Sequence, residues 1–321
     1  MVNRTIIRLK VVQILYEHYQ SPQQTMQQAQ ADLAKSLDQA YELYMHLLLL
    51  IVALTRQAQY EADKREEIAR ATHSTDPIDR RLADNRFVAQ LAQNERLNAF
   101  RDKHADSWAL DQALLRDLLT DIQLAPAYHV YKQLPATDYE TDRELWRRLY
   151  KQVIIPDERI DDILEDTALY WNDDRATIDT FVLKTIKQFD PANGSAQPLQ
   201  PQYKADGDSE QAAAGDVPQD KVFAIGLLQE ALDREDQLRT LISDNARGWD
   251  FQRLALMDLV TMQAALAEII AFPLIPVSVT INEYVEIAKH YSTPNSPRYV
   301  NGILDNVARQ LFRQGIINKD F

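Results

Sequence analysis

Glycine occurs only seven times in 321 residues, where the usual share of about 7% would give roughly 22. Hairpin turns and the loops that cradle phosphates draw on glycine for positive φ and for close backbone approach. A chain this poor in it, and rich in Ala, Leu, Gln, Asp and Arg, points to helices rather than to sandwiches or doubly wound sheets. Neither G-x-G-x-x-G nor G-x-x-x-x-G-K-[ST] occurs, which excludes the known phosphate-binding loops. An apolar share of 45% and a charged share of 26% are those of a globular chain. The length suits about two domains at roughly 150 residues each, enough to close a core without covalent staples. There is no cysteine, so disulfides, thiolate metal sites and cysteine nucleophiles are excluded together, and a reducing compartment is a natural fit. Residues 1–10 carry charge early and show no cleavage site after an apolar core, so no signal peptide is expected. The most apolar run, Leu47 to Leu54, spans eight residues, against about 20 for a membrane span. No membrane contact and a cytoplasmic location are therefore expected.

Helical periodicity runs through the chain. Asn3 can cap a helix from Arg4 to about Gln20, in which Ile7, Val11, Ile14 and Leu15 share one face. A second helical stretch is expected from about Thr25 and a long one from Ser36 to Arg70. Others are expected over Phe87–Phe100, Trp108–Ile122, Thr141–Val153 (with a Thr141/Glu144 capping box), after Pro156, and over Asp174–Phe189. Pro126 to Thr137 reads as a connector. Residues 191–220 hold four prolines and three glycines and read as a linker between domains. Helices follow over Lys221–Leu232, Arg234–Asn245, Asp250–Ala271, Thr280–Tyr291 (with a Thr280/Glu283 capping box) and Ser296–Arg313. Leu149–Trp171 and Leu227–Trp249 have equal length, each with an Arg four residues further on (Arg175, Arg253). That is either a degenerate duplication or two similar amphipathic hairpins.

The net charge of −13 is unevenly spread: residues 1–20 carry +2, 21–220 carry −13 and 221–321 carry −2. The acidity thus belongs to the middle section, where a solvated helical surface is its simplest meaning. None of the six histidines forms H-x-x-x-H or Glu-x-x-His, and there is no G-x-S-x-G elbow. No cofactor, no metal and no catalytic centre are expected, and the chain reads as a non-enzyme.

The last fifty residues are the specific ones. Ile275-Pro-Val-Ser-Val-Thr-Ile-Asn-Glu-Tyr-Val-Glu-Ile-Ala-Lys289, followed by Ser296-Pro-Arg-Tyr-Val-Asn-Gly-Ile-Leu-Asp305, closely resembles the C-terminal signature of the NusB family of transcription antitermination factors. Arg4, Arg8 and the run Gln13-Ile-Leu-Tyr16 resemble the family's first helix. The resemblance covers about residues 1–20 and 221–317. It implies an all-α fold: a NusB-like helical bundle, 1–20 with 221–321, plus an additional helical region inserted over 21–190. It also implies an RNA-binding adaptor that joins boxA-like single-stranded RNA and the ribosomal protein NusE to the RNA polymerase elongation complex during ribosomal RNA transcription. Carried over residue by residue, Arg4, Arg8, Lys10, Lys289, Asn295, Ser296, Arg298, Tyr299 and Asn301 are the expected RNA contacts, and Tyr16 and Glu268 the expected partner contacts. Two departures stand out: Thr5 and Ile6 replace further arginines, and Asn295 replaces an acid.

The residues support this chemistry on their own terms. Ser296 is a natural N-cap and Pro297 a natural first helical residue, so Arg298 and Tyr299 fall on a first turn whose free N–H groups suit phosphate. Arg298 supplies charge, and Tyr299 a ring on which a base can stack. Asn301 can read a base edge or tie down the turn. Gly302 inside a helix costs roughly 1 kcal/mol, which either a close ligand or a helix-packing contact would explain. The RNA reading is favoured for Arg298 and Tyr299, against Tyr299 as core; Tyr16 can equally be a buried amphipathic Tyr and Glu268 a solvated acid. A protein-interaction scaffold that has lost RNA binding is the alternative. An accessory subunit of a ribosomal RNA methyltransferase is a third, because the same helical fold precedes such enzymes.

Overall fold

The computed structural model describes residues 3–21, 23–104, 108, 111–168, 171–203, 219–246 and 255–319. Among these, all regular structure is helical. The chain divides into two compact units, residues 1–38 with 202–321, and 39–201.

The first unit begins with α1 (Arg4–Gln20), capped by the Asn3 side chain, which accepts from the Ile6 N–H at 2.9 Å. After the opening residues of α2 (Met26–Thr72), it resumes with α10 (Gln219–Asp233), α11 (Glu235–Asn245), α12 (Leu256–Ala271), α13 (Val277–Tyr291) and α14 (Ser296–Arg313). Every residue of α12 from Val260 to Ile269 is buried, because α1, α10, α11, α13 and α14 all pack against it. This all-round burial is what an apolar helix without a polar face requires.

The second unit holds the rest of α2, then α3 (Arg86–Ala92), α4 (Glu95–Lys103), α5 (Gln112–Leu124), α6 (Pro126–Lys132), α7 (Tyr139–Leu149), a π turn at Tyr150–Ile154, α8 (Glu158–Thr167), α9 (Trp171–Gln188) and a 3-10 turn at Pro191–Ala196. Its core includes Leu47–Leu54, Trp146, Tyr150 and the Phe87–Phe189 edge-to-face pair at 5.2 Å. An 18-residue window of α2 is long and apolar enough to cross a membrane (mean hydropathy 1.4), beyond what the eight-residue run suggests. It is 78% buried inside the protein, as a core helix is.

Several sequence expectations shift. The two stretches from Thr25 and Ser36 form one 47-residue helix. The single helix over 87–100 is two, because Asn94 caps α4 by accepting from the Leu97 N–H. The expected connector after Pro126 is helical, with proline in its first turn. The capping box lies at Asp138/Thr141 rather than Thr141/Glu144. Residues 191–201 are not linker: Asn94 donates to the carbonyls of Ser195 and Gln197, and Leu199 is buried, so this segment packs into the second unit. The Trp249 and Arg253 half of the possible repeat, and residues 204–218 of the expected linker, lie outside the described residues.

Candidate functional site

The turn from α13 to α14 is braced from below. Ser296 Oγ donates to Asp258 Oδ2 of α12 at 2.8 Å and accepts from the Thr293 N–H at 3.2 Å. Ser296 is therefore the first helical residue, not the cap, and it is buried. Expected as an RNA contact, it instead holds the turn in place. Asn295 occupies the cap position without a side-chain cap bond and is exposed. Its amide is left to a groove of about 590 Å³ lined by Asn295, Arg298, Tyr299, Gly302, Ile303 and Asn306 of α14 and by Asn245. The spacing i, i+3, i+4, i+7, i+8, i+11 is one helical stripe. Asn245, at the end of α11, donates to Gln310 Oε1 at 3.0 Å, which fixes that helix end against α14.

Within this groove Arg298 is exposed. Tyr299 is only 8% exposed, and burial, with the charge of Asp258, pushes its hydroxyl pKa up. Little of the ring is offered, so the expected stacking platform is mostly core. At Gly302 a Cβ would meet nothing within 4 Å among the described residues. Among the described residues no packing contact explains this glycine, which lines the groove. Asn301 is exposed but is not among the lining residues.

The opening helix fares differently. Arg8 is 3% exposed and makes a two-pronged pair with Glu268, Nε to Oε2 and Nη2 to Oε1, both at 2.8 Å, and a third contact to Glu283 at 3.2 Å. Burial pulls its pKa down, but the hydrogen bond and charge of Glu268 outweigh this and raise it. Lys10 is fully buried. Both were expected on phosphate; both belong to the interior. Glu268, expected as an exposed partner contact, is fully buried: it also accepts from Thr280 Oγ1 at 2.7 Å and Tyr284 Oη at 3.3 Å. The Thr280/Glu283 capping box therefore does not form; Thr280 serves Glu268, and Glu283 serves Arg8 and Thr5. Arg4 is exposed, over the Phe223 ring at 5.0 Å. Lys289 is exposed and pairs with Glu286. Tyr16 is half-buried.

The structure thus brings Asn295, Arg298 and Tyr299 together. It does not bring α1 to them: α1 meets α13 at Glu283, whereas the groove begins beyond the end of α13. Sequence reasoning missed Asn245 and Asn306. Asn306 was readable from its stripe on α14; Asn245 comes from another helix and was not.

The profile of the NusB family matches residues 180–309. The transcription antitermination protein NusB of Geobacter sulfurreducens is 35% identical over 133 residues, covering 41% of this chain and 92% of its own length. The chain belongs to the NusB family. The NusB of Salinibacter ruber, also named a transcription antitermination protein, is 35% identical over 123 residues, with 36% of this chain and 77% of its own length covered. A solved T. maritima NusB is 35% identical over 29% of this chain and 65% of that one, with a TM-score of 0.28. The profile match starts inside α9, earlier than the residue 221 at which the sequence resemblance begins, and leaves α1 outside it. This NusB-family chain carries many helices beyond the matched region.

Proposed function

We propose that the chain is a transcription antitermination adaptor, not an enzyme, that binds boxA-like single-stranded RNA in the groove at the start of α14, together with the ribosomal protein NusE, on the elongating RNA polymerase in the cytoplasm. The observation that carries this reading is the convergence of Asn295, Arg298 and Gly302 on one open groove, with a glycine that no packing contact explains among the described residues. An exposed guanidinium at a helix start binds phosphate; the backbone of the first turn adds little, because Ser296 N–H donates to the Thr293 carbonyl, Tyr299 N–H donates to the Asn295 carbonyl and Pro297 has no N–H. The amides of Asn295 and Asn306 offer donors and acceptors to unpaired base edges, and Asn245 offers its carbonyl oxygen, its amide N–H groups being bonded to Leu241 and Gln310. Arg4, the exposed basic residue of α1, is a separate and weaker contact.

The protein partner is assigned to the rim of the first unit around the turn between α12 and α13. Leu274 is 95% exposed there, and Val279, Val222 and Ile225 are further exposed apolar residues of α13 and α10. Glu268 acts through its buried pairing, which holds α1, α12 and α13 together beneath that turn.

The test is a titration of the full chain with a boxA-like RNA and a scrambled RNA, with and without NusE, at two salt concentrations. The boxA-like strand is expected to be preferred, more strongly with NusE, and affinity to fall by about 0.7 in log K per log salt for each phosphate bound. The scaffold alternative draws on the burial of Arg8 and Lys10, which withdraws two cations from the surface. NusE capture with no preference between the two RNAs selects it.

A further inference from the structure

We propose that the groove at the start of α14 selects a base carrying an exocyclic amine beside a ring nitrogen acceptor, adenine or cytosine, through the carbonyl oxygen of Asn245. The inference rests on the reading that this groove holds single-stranded RNA, and adds which base it takes. Asn245 ends α11 and lines the groove from outside α14. Both N–H groups of its side chain are committed. Nδ2 donates to the Leu241 carbonyl and to Gln310 Oε1, each at 3.0 Å. A backbone carbonyl only accepts, so the Leu241 bond fixes which way round the amide sits. The first bond ties it to its own helix and the second to α14, so it turns only by breaking both. An amide is ordinarily donor and acceptor at once; this one presents an acceptor.

The groove has two unlike ends. Gln310, which holds Asn245, lies one turn beyond Asn306 on α14, so Asn245 stands at the end away from Arg298. From Arg298 to Asn306 the helix rises roughly 12 Å at about 1.5 Å per residue, which is about the reach of one nucleotide from its phosphate to the far edge of its base. Gly302 lies midway and is exposed, with nothing within 4 Å of where a Cβ would be among the described residues. A base can therefore lie directly on the helix backbone there, beside the apolar Ile303. With its phosphate on the Arg298 guanidinium, its edge falls at Asn245 and Asn306.

At that edge the two asparagines act differently. Asn245 Oδ1 accepts from an exocyclic amine. Asn306 is exposed, and its amide turns to donate to the ring nitrogen beside that amine. Adenine and cytosine both present this donor and acceptor side by side. Uracil and guanine put a carbonyl oxygen where the amine would be, so two acceptors would face each other at Asn245. Asn306 can rotate to suit either kind of base; Asn245 is held. The discrimination therefore belongs to Asn245.

The experiment titrates the full chain with fluorescent (rC)12, with (rU)12, and with a strand of the same length built from pyrimidin-2-one ribonucleotides, whose base is cytosine without its amine. The cytidine strand is expected to bind about tenfold more tightly than either of the others. Asn245→Ala is expected to bring the three affinities together, and Arg298→Glu to weaken all three while leaving their ratio as it was. The ratio is the decisive readout, because merely loosening α11 from α14 would weaken every strand alike. The comparison of strands on the unaltered chain holds even where Asn245→Ala fails to fold. Equal affinity of the unaltered chain for the three strands, with Arg298→Glu still impaired, would overturn the base selection and leave the proposed function standing. A cytidine preference that persists in Asn245→Ala would overturn the role of Asn245. No binding of these strands or of a boxA-like RNA by the unaltered chain would sink both readings.

Discussion

Among the described residues each unit buries one arginine beside a carboxylate and a tyrosine, and the two clusters are built differently. In the first unit Arg8, Glu268 and Tyr284 come from α1, α12 and α13, and the guanidinium meets the carboxylate squarely at 2.8 Å on both prongs. In the second, Arg175 and Asp179 sit one turn apart on α9, with 3.7 Å between guanidinium and carboxylate. Arg175 is instead directed at the backbone carbonyl of Ile154 and at Asp161. The π turn at Tyr150–Ile154 breaks the regular helical bonding next to that carbonyl. Tyr150 donates to Asp179 at 2.5 Å, and burial raises the Asp179 pKa above the usual carboxylate value. The first cluster joins the ends of the chain; the second fastens a local irregularity. A full buried ion pair is thus placed where the sequence separation is largest.

That contrast can be broken by paired substitutions. Glu268→Gln leaves Arg8 as a buried, half-paired cation and is expected to cost the first unit about 3–5 kcal/mol, read as lower hydrogen-exchange protection in α12. Lys319, whose ammonium donates to the Glu268 carbonyl at 3.2 Å, is pushed down to about 8 by burial, against a smaller upward pull from Glu268. The unfolded chain then holds that proton between pH 8 and its ordinary value while the folded one releases it. Stability therefore rises with pH across that window, by on the order of 2–3 kcal/mol; Lys319→Met should lose the rise in pH-dependent denaturant melts.

Asp179→Asn keeps an acceptor for Tyr150 and is expected to cost the second unit only about 1 kcal/mol. Because the folded pKa of Asp179 is raised, its contribution is full at low pH and is lost as pH rises through the folded value; the Asn variant should not show that loss. Equal costs for Glu268→Gln and Asp179→Asn would erase the distinction between the clusters. The smallest effect concerns the groove. Gly302→Ala has room for its Cβ and is expected to stabilise α14 by up to about 1 kcal/mol, while weakening RNA binding several-fold.

Helical class was legible from glycine scarcity and apolar spacing, and α14 begins and ends where the sequence places it. Local pattern failed where a polar stretch hid a continuing helix, as from Met26 into the long α2, and where proline opened a helix instead of marking a connector, as at Pro126. The stripe Asn295, Arg298, Tyr299 was readable because one helix carries it. The fates of Arg8 and Glu268 were not: 260 positions separate them, and nothing local distinguishes an arginine that meets phosphate from one that meets a buried acid.

The central claim is that the groove at the start of α14 holds RNA. Anisotropy titration of a boxA-like strand with the unaltered chain and with Arg298→Glu tests it most directly. A drop in affinity of at least tenfold is predicted for the variant, with unchanged helical content and unchanged binding of NusE. Equal affinity in the two proteins would contradict it.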